Sequence, residues 1–455
     1  MPSQSAPARR STSHGRSGGR RAARPAPARP TSPVALKVHP RPGLLGGGFQ
    51  LQQIVQLEVA AALVAVGWSI SPLMAGVFAV PALALVVVAL LRLGGRTAGE
   101  ALHVRRTLNL RRKQSRTNVP PPGTDPAIAP ALELEPALRT YTHVTETDLG
   151  DGRPLRRETG MVGDGTFLTS VLLVQAKDQP LRPNRSALPL PLDVICSALQ
   201  VDDINLESVQ LVQHTQPAPA PHLPDQSLAS RAYHQLPDGT ATPALRLSWV
   251  ALKLNPEEAS AAVEARGGGE EGARKALQRV TDQLAGRLNS VGFTATILDE
   301  RELIAALAIS ICANPMAVAG RQGTGGGGLG ARRTQESAKF WRIDDRWHST
   351  YWISKWPQLT RPGGAPGRIA APDLVNLLTG TPALASTFSM TAGRGAGDAL
   401  AVSGHLRVTG RSESEVSQVG RLVESRAQNA GIGLTRLDLE QAPGLLATLP
   451  LGGTS

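Results

Sequence analysis

The longest run without a charged residue is Val59 to Leu91. At 33 residues it is too long for one membrane-crossing helix, which needs ~20 apolar residues at 1.5 Å rise each. Extended back to Leu51 it reaches 41 residues, the length of two spans and a tight turn. The turn signal is Gly67-Trp68-Ser69-Ile70-Ser71-Pro72. The pattern predicts a transmembrane hairpin over 51–91, with one helix over 51–69 and the other over 73–91. Pro81 falls inside the second helix, where a membrane helix tolerates it because neighbours re-satisfy the freed carbonyl.

Periodicity changes after the hairpin. Leu102, Val104, Leu108 and Leu110 give residues 92–118 the character of a basic juxtamembrane helix. Val119-Pro120-Pro121-Pro122-Gly123 opens a Pro-rich linker over 119–139, and the main domain is expected over 140–455. Leu155–Met161 and Thr166–Gln175 flank the turn Gly163-Asp164-Gly165, a hairpin signal. Leu190–Leu199 reads as helix; Ile204–His214 and Ala244–Leu254 read as strands, with a Pro-rich break at Gln216–Pro224 between them. Asn255-Pro256-Glu257-Glu258 starts a helix with a cap, a proline at the first helical position and acids in the first turn. Gly267–Gly269 interrupts that helix, which resumes through Leu277, Val280, Leu284 and Leu288.

An internal repeat emerges from the same pattern. Val291-Gly292-Phe293-Thr294-Ala295-Thr296-Ile297-Leu298-Asp299 aligns with Ala430-Gly431-Ile432-Gly433-Leu434-Thr435-Arg436-Leu437-Asp438 at an offset of 139 residues. Each segment follows an amphipathic helix, Gly272–Asn289 or Ser412–Asn429, and each helix follows a strand, Ala244–Leu254 or Ala399–Thr409. Shorter helices follow, about Glu300–Ile311 and Gln441–Leu449. The glycine should close one helix and the aspartate cap the next. The fold class expected is therefore α/β: an N-terminal two-helix transmembrane hairpin, then a cytosolic α/β sandwich with an internal β-α-β-α repeat.

Charge fixes the orientation. Residues 1–50 hold nine Lys/Arg and no acid, and residues 92–116 hold eight against Glu100. With Glu58 included, the first 124 residues carry +15 of a formal +12, so the remainder is slightly acidic. That argues against nucleic acid as a partner of the main domain. Both basic blocks flank the hairpin, so both termini are expected on the cytoplasmic side of a plasma membrane. Residues 1–43, rich in Ser, Arg, Pro, Ala and Gly, form a basic tail with too little apolar surface to fold, expected to lie near anionic lipid. Glu58, the one ionisable group inside the spans, is a candidate contact with a partner helix. Arg105, Arg106, Arg111, Arg112 and Lys113 are candidate contacts to anionic lipid.

No residue constellation supports catalysis. Gln322–Gly330 is glycine-rich but continues into Ala331-Arg332-Arg333 and lacks the Lys-Ser/Thr of a phosphate loop. Asp202-Asp203 and Asp344-Asp345 are adjacent pairs, not the Asp-x-Asp of metal-dependent sugar transfer. The histidines show no metal-ligand spacing. Gly15-Arg16-Ser17-Gly18-Gly19 lies in the tail, where no strand and helix can form a nucleophile elbow. Cys196 and Cys312 sit in apolar helical contexts and are expected to be buried thiols in a reducing compartment. Phe340, Trp341, Trp347, Tyr351, Trp352 and Trp356 surround the turn Arg342–Arg346, a hairpin whose aromatic faces fill a core. No cofactor is expected.

The layout, with Arg41-Pro42-Gly43 running into Gln50-Leu51, the apolar hairpin, the basic exit over 92–116 and a large α/β domain, resembles the EccE family. EccE is a membrane subunit of the actinobacterial type VII (ESX) secretion machine. The resemblance implies a non-enzymatic structural subunit that assembles with EccB, EccC and EccD, with EccC as the motor. The alternatives are a membrane-anchored glycosyltransferase-like enzyme and a membrane-tethered regulator.

Overall fold

In a computed structural model, the described residues are 51–453 except 91, 94–95, 119, 122–123, 149–153, 178–188, 218–225, 229–230, 233–242, 315–331, 361–368 and 396–399. The basic tail, the family-like start at Arg41–Gly43 and the glycine loop Gly323–Gly330 lie outside them.

The apolar run forms a helical hairpin, α1 (Leu51–Ile70) and α2 (Pro72–Leu90). Ser71 alone makes the turn. Its hydroxyl caps α2 by accepting from the Met74 amide at 3.2 Å, and Pro72 occupies the first helical position. The helices meet through small residues. Ala60 and Ala82 are buried, and a Cβ on Gly67 would sit 3.0 Å from the Ala75 Cα. Among the described residues, no helix is long and apolar enough to cross a membrane. The expected hairpin is therefore present, while its two spans are not found.

The main domain is built on one 12-stranded antiparallel sheet. Its strands are β1 (Arg139–Asp148), β2 (Pro154–Gly163), β3 (Leu168–Ala176), β4 (Ser208–Pro217), β5 (Pro243–Leu254), β6 (Phe293–Ile297), β7 (Thr334–Glu336), β8 (Trp341–Ile343), β9 (Arg346–Lys355), β10 (Ala385–Arg394), β11 (Leu400–Gly410) and β12 (Gly433–Arg436). The order across the sheet is β1-β2-β3-β5-β4-β10-β11-β9-β8-β7, with β6 paired to β3 and β12 paired to β9. The helices beyond the hairpin are α3 (Ala98–Thr117), α4 (Ala129–Leu134), α5 (Leu192–Cys196), α6 (Ser260–Glu264), α7 (Gly269–Ser290), α8 (Glu300–Ile311), α9 (Ala371–Thr379), α10 (Glu413–Asn429) and α11 (Gln441–Leu446).

The second half of the sheet repeats the first. β1-β2-β3-β5-β4 inward from one edge has the same chain order as β7-β8-β9-β11-β10 from the other, and β5-α7-β6-α8 matches β11-α10-β12-α11. The repeat legible over nine residues thus extends to two whole units, joined by β4–β10. The strands within each unit are antiparallel, not the parallel arrangement that strand–helix alternation favours.

Alternation along the strands gives both faces a core. Leu172, Val250 and Leu252 pack under α7, and Tyr351, Phe388, Leu406 and Val408 pack under α9 and α10 on the same face. On the opposite face Val171, Trp249 and Ala251 join Leu303, Leu307, Leu445 and Leu446 of α8 and α11. Ile128, Ala131, Leu134 and Leu138 belong to this second core, so the expected linker over 119–139 contributes α4 and the domain begins before residue 140. Close packing sets local requirements. At Gly160, on β2, a Cβ would lie 2.5 Å from the Asp299 carbonyl, where α8 begins.

The repeat's aspartates differ in role. Asp299 caps α8, accepting from the Glu302 amide at 2.8 Å, while Glu302 accepts from the Asp299 amide at 3.1 Å. Asp438 caps nothing; it pairs with Arg436 at 2.6 Å, and Leu439 turns the chain at φ +69°. Cys312 closes α8 at φ +58° and is half-buried.

Between the apolar zones of the second face, the four central strands carry buried polar side chains: Gln210, His214, Thr387, Ser389, His405, Arg407, Thr409 and His348. The C-terminal segment covers part of them. Gln210 donates to the Ala447 carbonyl at 2.9 Å and accepts from the Gly452 amide at 2.8 Å.

Burial holds the histidines of this seam neutral. It brings His214 down to about 3, helped by the Arg407 charge, and His405 down to about 4. His348 falls well below the ordinary value through burial and then Arg407. The unfolded chain takes up these protons near pH 6.5, while the folded chain does not, so stability is full above that pH and lost as pH falls through it. Three such groups should cost about 4 kcal/mol between pH 7.5 and 5.5. Denaturant unfolding at the two pH values measures the loss, and His405→Gln should reduce it by about a third.

Candidate functional site

Helix α3 joins the hairpin to the domain and has two different faces. Val104, Leu108, Arg111 and Ser115 recur at helical spacing and turn toward the domain, with Val104, Leu108 and Arg111 buried. Leu102, Arg105, Arg106, Leu110, Lys113 and Arg116 point outward and are exposed.

The inward face is fastened by a buried fork. Arg111 donates from Nε to Glu336 Oε2 at 3.1 Å and from Nη2 to Glu336 Oε1 at 3.0 Å. Nη2 also donates to the Leu439 carbonyl at 2.6 Å. Both side chains are 8% exposed. Glu336 Oε1 further accepts from the Ala442 amide at 3.0 Å, which ties the start of α11 to the same carboxylate. Arg112 donates to the Glu336 main-chain carbonyl at 3.1 Å, and Arg332 donates to the Ser115 carbonyl. One edge strand, β7, is thereby held to α3.

A second buried carboxylate holds β7 to α4. Glu133, 3% exposed, accepts from the Thr334 amide at 2.8 Å, the Thr334 hydroxyl at 2.7 Å and the Arg333 amide at 2.9 Å. Arg333 forks onto Asp344 at 3.0 and 2.7 Å. Burial draws the Arg332 guanidinium down, and Glu133 and Glu336 oppose that shift. The sheet edge at β7 is thus closed by helices and ion pairs.

The sequence-expected contacts separate accordingly. Arg105, Arg106 and Lys113 lie on the outward face. Arg111 does not: it is buried in the fork, out of reach of a headgroup, because its charge is neutralised by Glu336. Arg112 is half-buried and engaged with the β7 backbone. Glu58 is exposed on α1. Glu336 and Glu133 carried no signal in sequence, since their partners Arg111 and Thr334 lie 225 and 201 residues away in the chain. Among the described residues no group of three or more His, Cys, Asp or Glu could hold a metal ion. What the arrangement does is fix α3 against β7 and the start of α11.

Residues 242–353 match the EccE family, described as "Putative type VII ESX secretion system translocon". The match bears out the resemblance noted in the sequence. It runs from the start of β5 to near the end of β9, so it includes Glu336 but neither the hairpin nor the β4–β10 pairing that joins the two units. The EccE family is that of a secretion-system component. No curated protein matches the chain.

Removing one partner of the fork leaves the other buried and charged, which typically costs about 3–5 kcal/mol. Glu336→Gln should therefore free α3 before the sheet unfolds. The expected result is faster hydrogen exchange over residues 101–117 with protection of β5 and β11 retained.

Proposed function

We propose that the chain is a non-catalytic structural subunit of a type VII (ESX) secretion membrane complex, assembling with EccB, EccC and EccD. The family match over residues 242–353 carries the assembly reading. The membrane reading rests on the hairpin. Trp68, Leu73, Val80 and Leu83 are 73%, 76%, 71% and 65% exposed, and Val55, Val59, Val66, Ile70 and Val77 are exposed as well. A helix pair apolar on all sides needs lipid or partner helices around it.

In this reading both termini face the cytoplasm, because basic segments flank the hairpin and its turn is uncharged. Arg105, Arg106 and Lys113 then meet anionic headgroups, with Leu102 and Leu110 dipping beneath them. Glu58 faces a partner span. The domain docks on the partners' cytosolic domains and restrains the assembly, and the Arg111–Glu336 fork passes load from hairpin to domain.

Detergent extraction followed by native electrophoresis and mass spectrometry should place the chain in a large complex with the other membrane subunits; a free monomer alone would overturn the reading. Native mass spectrometry of the purified chain should show retained phosphatidylglycerol. Reversing Arg105, Arg106 and Lys113 to Glu should reduce that retention several-fold without loss of folding.

A further inference from the structure

Arg407 is fully buried on β11, on the sheet face covered by α8 and α11. Its neighbours across the ladders are Thr387 on β10 and Thr350 on β9. Nη2 donates to the Ser310 carbonyl at the end of α8 and to Thr387 Oγ1 at 3.2 Å. Nη1 and Nε have no hydrogen-bond partner, and among the described residues no carboxylate pairs with this guanidinium. Burial brings Arg407 down to about 10, so it stays charged at neutral pH. A buried cation without a counter-charge costs several kcal/mol, which no packing gain at one side chain offsets.

Beyond the Ser310 carbonyl and Thr387, the polar groups around it are hydroxyls, a thiol and imidazoles, all able to donate. Thr409 Oγ1 lies 2.9 Å from His348 Nδ1 and 3.8 Å from Cys312 Sγ. Where Thr409 donates to His348 Nδ1, the imidazole carries its N–H on Nε2, which has no partner. Thr350 Oγ1 and both ring nitrogens of His405 are likewise buried and unpaired. Cys312 does not supply the negative charge: burial pushes its thiol up, and that outweighs the lowering by Arg407.

We propose that Arg407, with the donors of His348, His405 and Thr350, forms an internal site for one small inorganic anion of the phosphate or chloride class. The anion supplies the counter-charge to Arg407, which itself ties the first repeat unit, at the Ser310 carbonyl ending α8, to the central strands of the second. Both the chemistry and the location are independent of the secretion reading: the site would serve the fold whatever the domain docks on.

The test uses the full chain in detergent, exchanged into potassium gluconate at constant ionic strength. Phosphate and chloride are titrated in separate arms while the thermal midpoint is followed, and equilibrium dialysis with labelled phosphate counts bound anions. The midpoint should rise by several degrees over a hundredfold increase of the recognised anion, with one anion per chain. Arg407→Met should lose that dependence; should it fail to fold, Thr387→Val, which removes one of the two groups holding the guanidinium, should weaken it. A parent midpoint indifferent to both anions would overturn the proposal, as would an Arg407→Met protein matching or exceeding the parent's stability in every buffer.

Discussion

The pairing of β4 with β10 is the constraint from which the rest of the domain follows. It runs from Ser208 opposite Gly393 to Thr215 opposite Ser386 and makes one sheet of two repeat units. Each unit alone would end in an inner strand with an open row of backbone donors and acceptors, a ready template for misassembly. Joined edge to edge, the units bury that row and leave β1 and β7 as the outer strands. A sheet this wide with helices on both faces makes both sides of its central strands interior, and the burial on β4, β10 and β11 shows this.

The outer strands are then finished differently. β7 is only three residues long and is covered by α3 and α4 through two buried carboxylates. β1 is ten residues long, and Thr140 and Thr142 hold it to Glu300 of α8. The chain uses the short edge to attach its hairpin. A fork between rigid elements transmits orientation better than a flexible linker, because both side chains have lost their rotamer freedom to burial and shared hydrogen bonds. The helix that follows the hairpin is therefore fastened to the domain at β7.

How much of this was legible follows from what each residue pattern reports. The apolar run gave the hairpin because nothing in it competes with helix. α7, α8 and α10 appeared at nearly their observed bounds, since their apolar stripes and caps are local. β10 was missed because Ala385-Ser386-Thr387-Phe388-Ser389-Met390 offers small polar residues where a strand buried on both faces usually shows branched apolar ones. β1, rich in threonine, was missed for a similar reason. Asp438 misled because a matched aspartate suggests a matched cap, while Arg436 two residues earlier captures it. Arg111 misled because a basic run looks alike whether its members face lipid or a carboxylate 225 residues away. Such a pairing exists only once the sheet has closed.

The polar seam is the other side of the same closure. α8 and α11 arrive from different units, and their apolar side chains fill the second face beneath each of them. At the junction the face is filled instead by small and polar side chains and by the C-terminal segment running over Gln210 and Ser208. Hydroxyls and amides suit that position because they can satisfy one another across adjacent strands while backbones approach closely, as Gln210 does with Ser389 and Gly452. The same solution places a guanidinium and three neutral imidazoles where bulk water does not reach. The repeated units therefore carry their apolar cores in pairs, while the line joining them is built from polar groups, several of which find no partner within the protein.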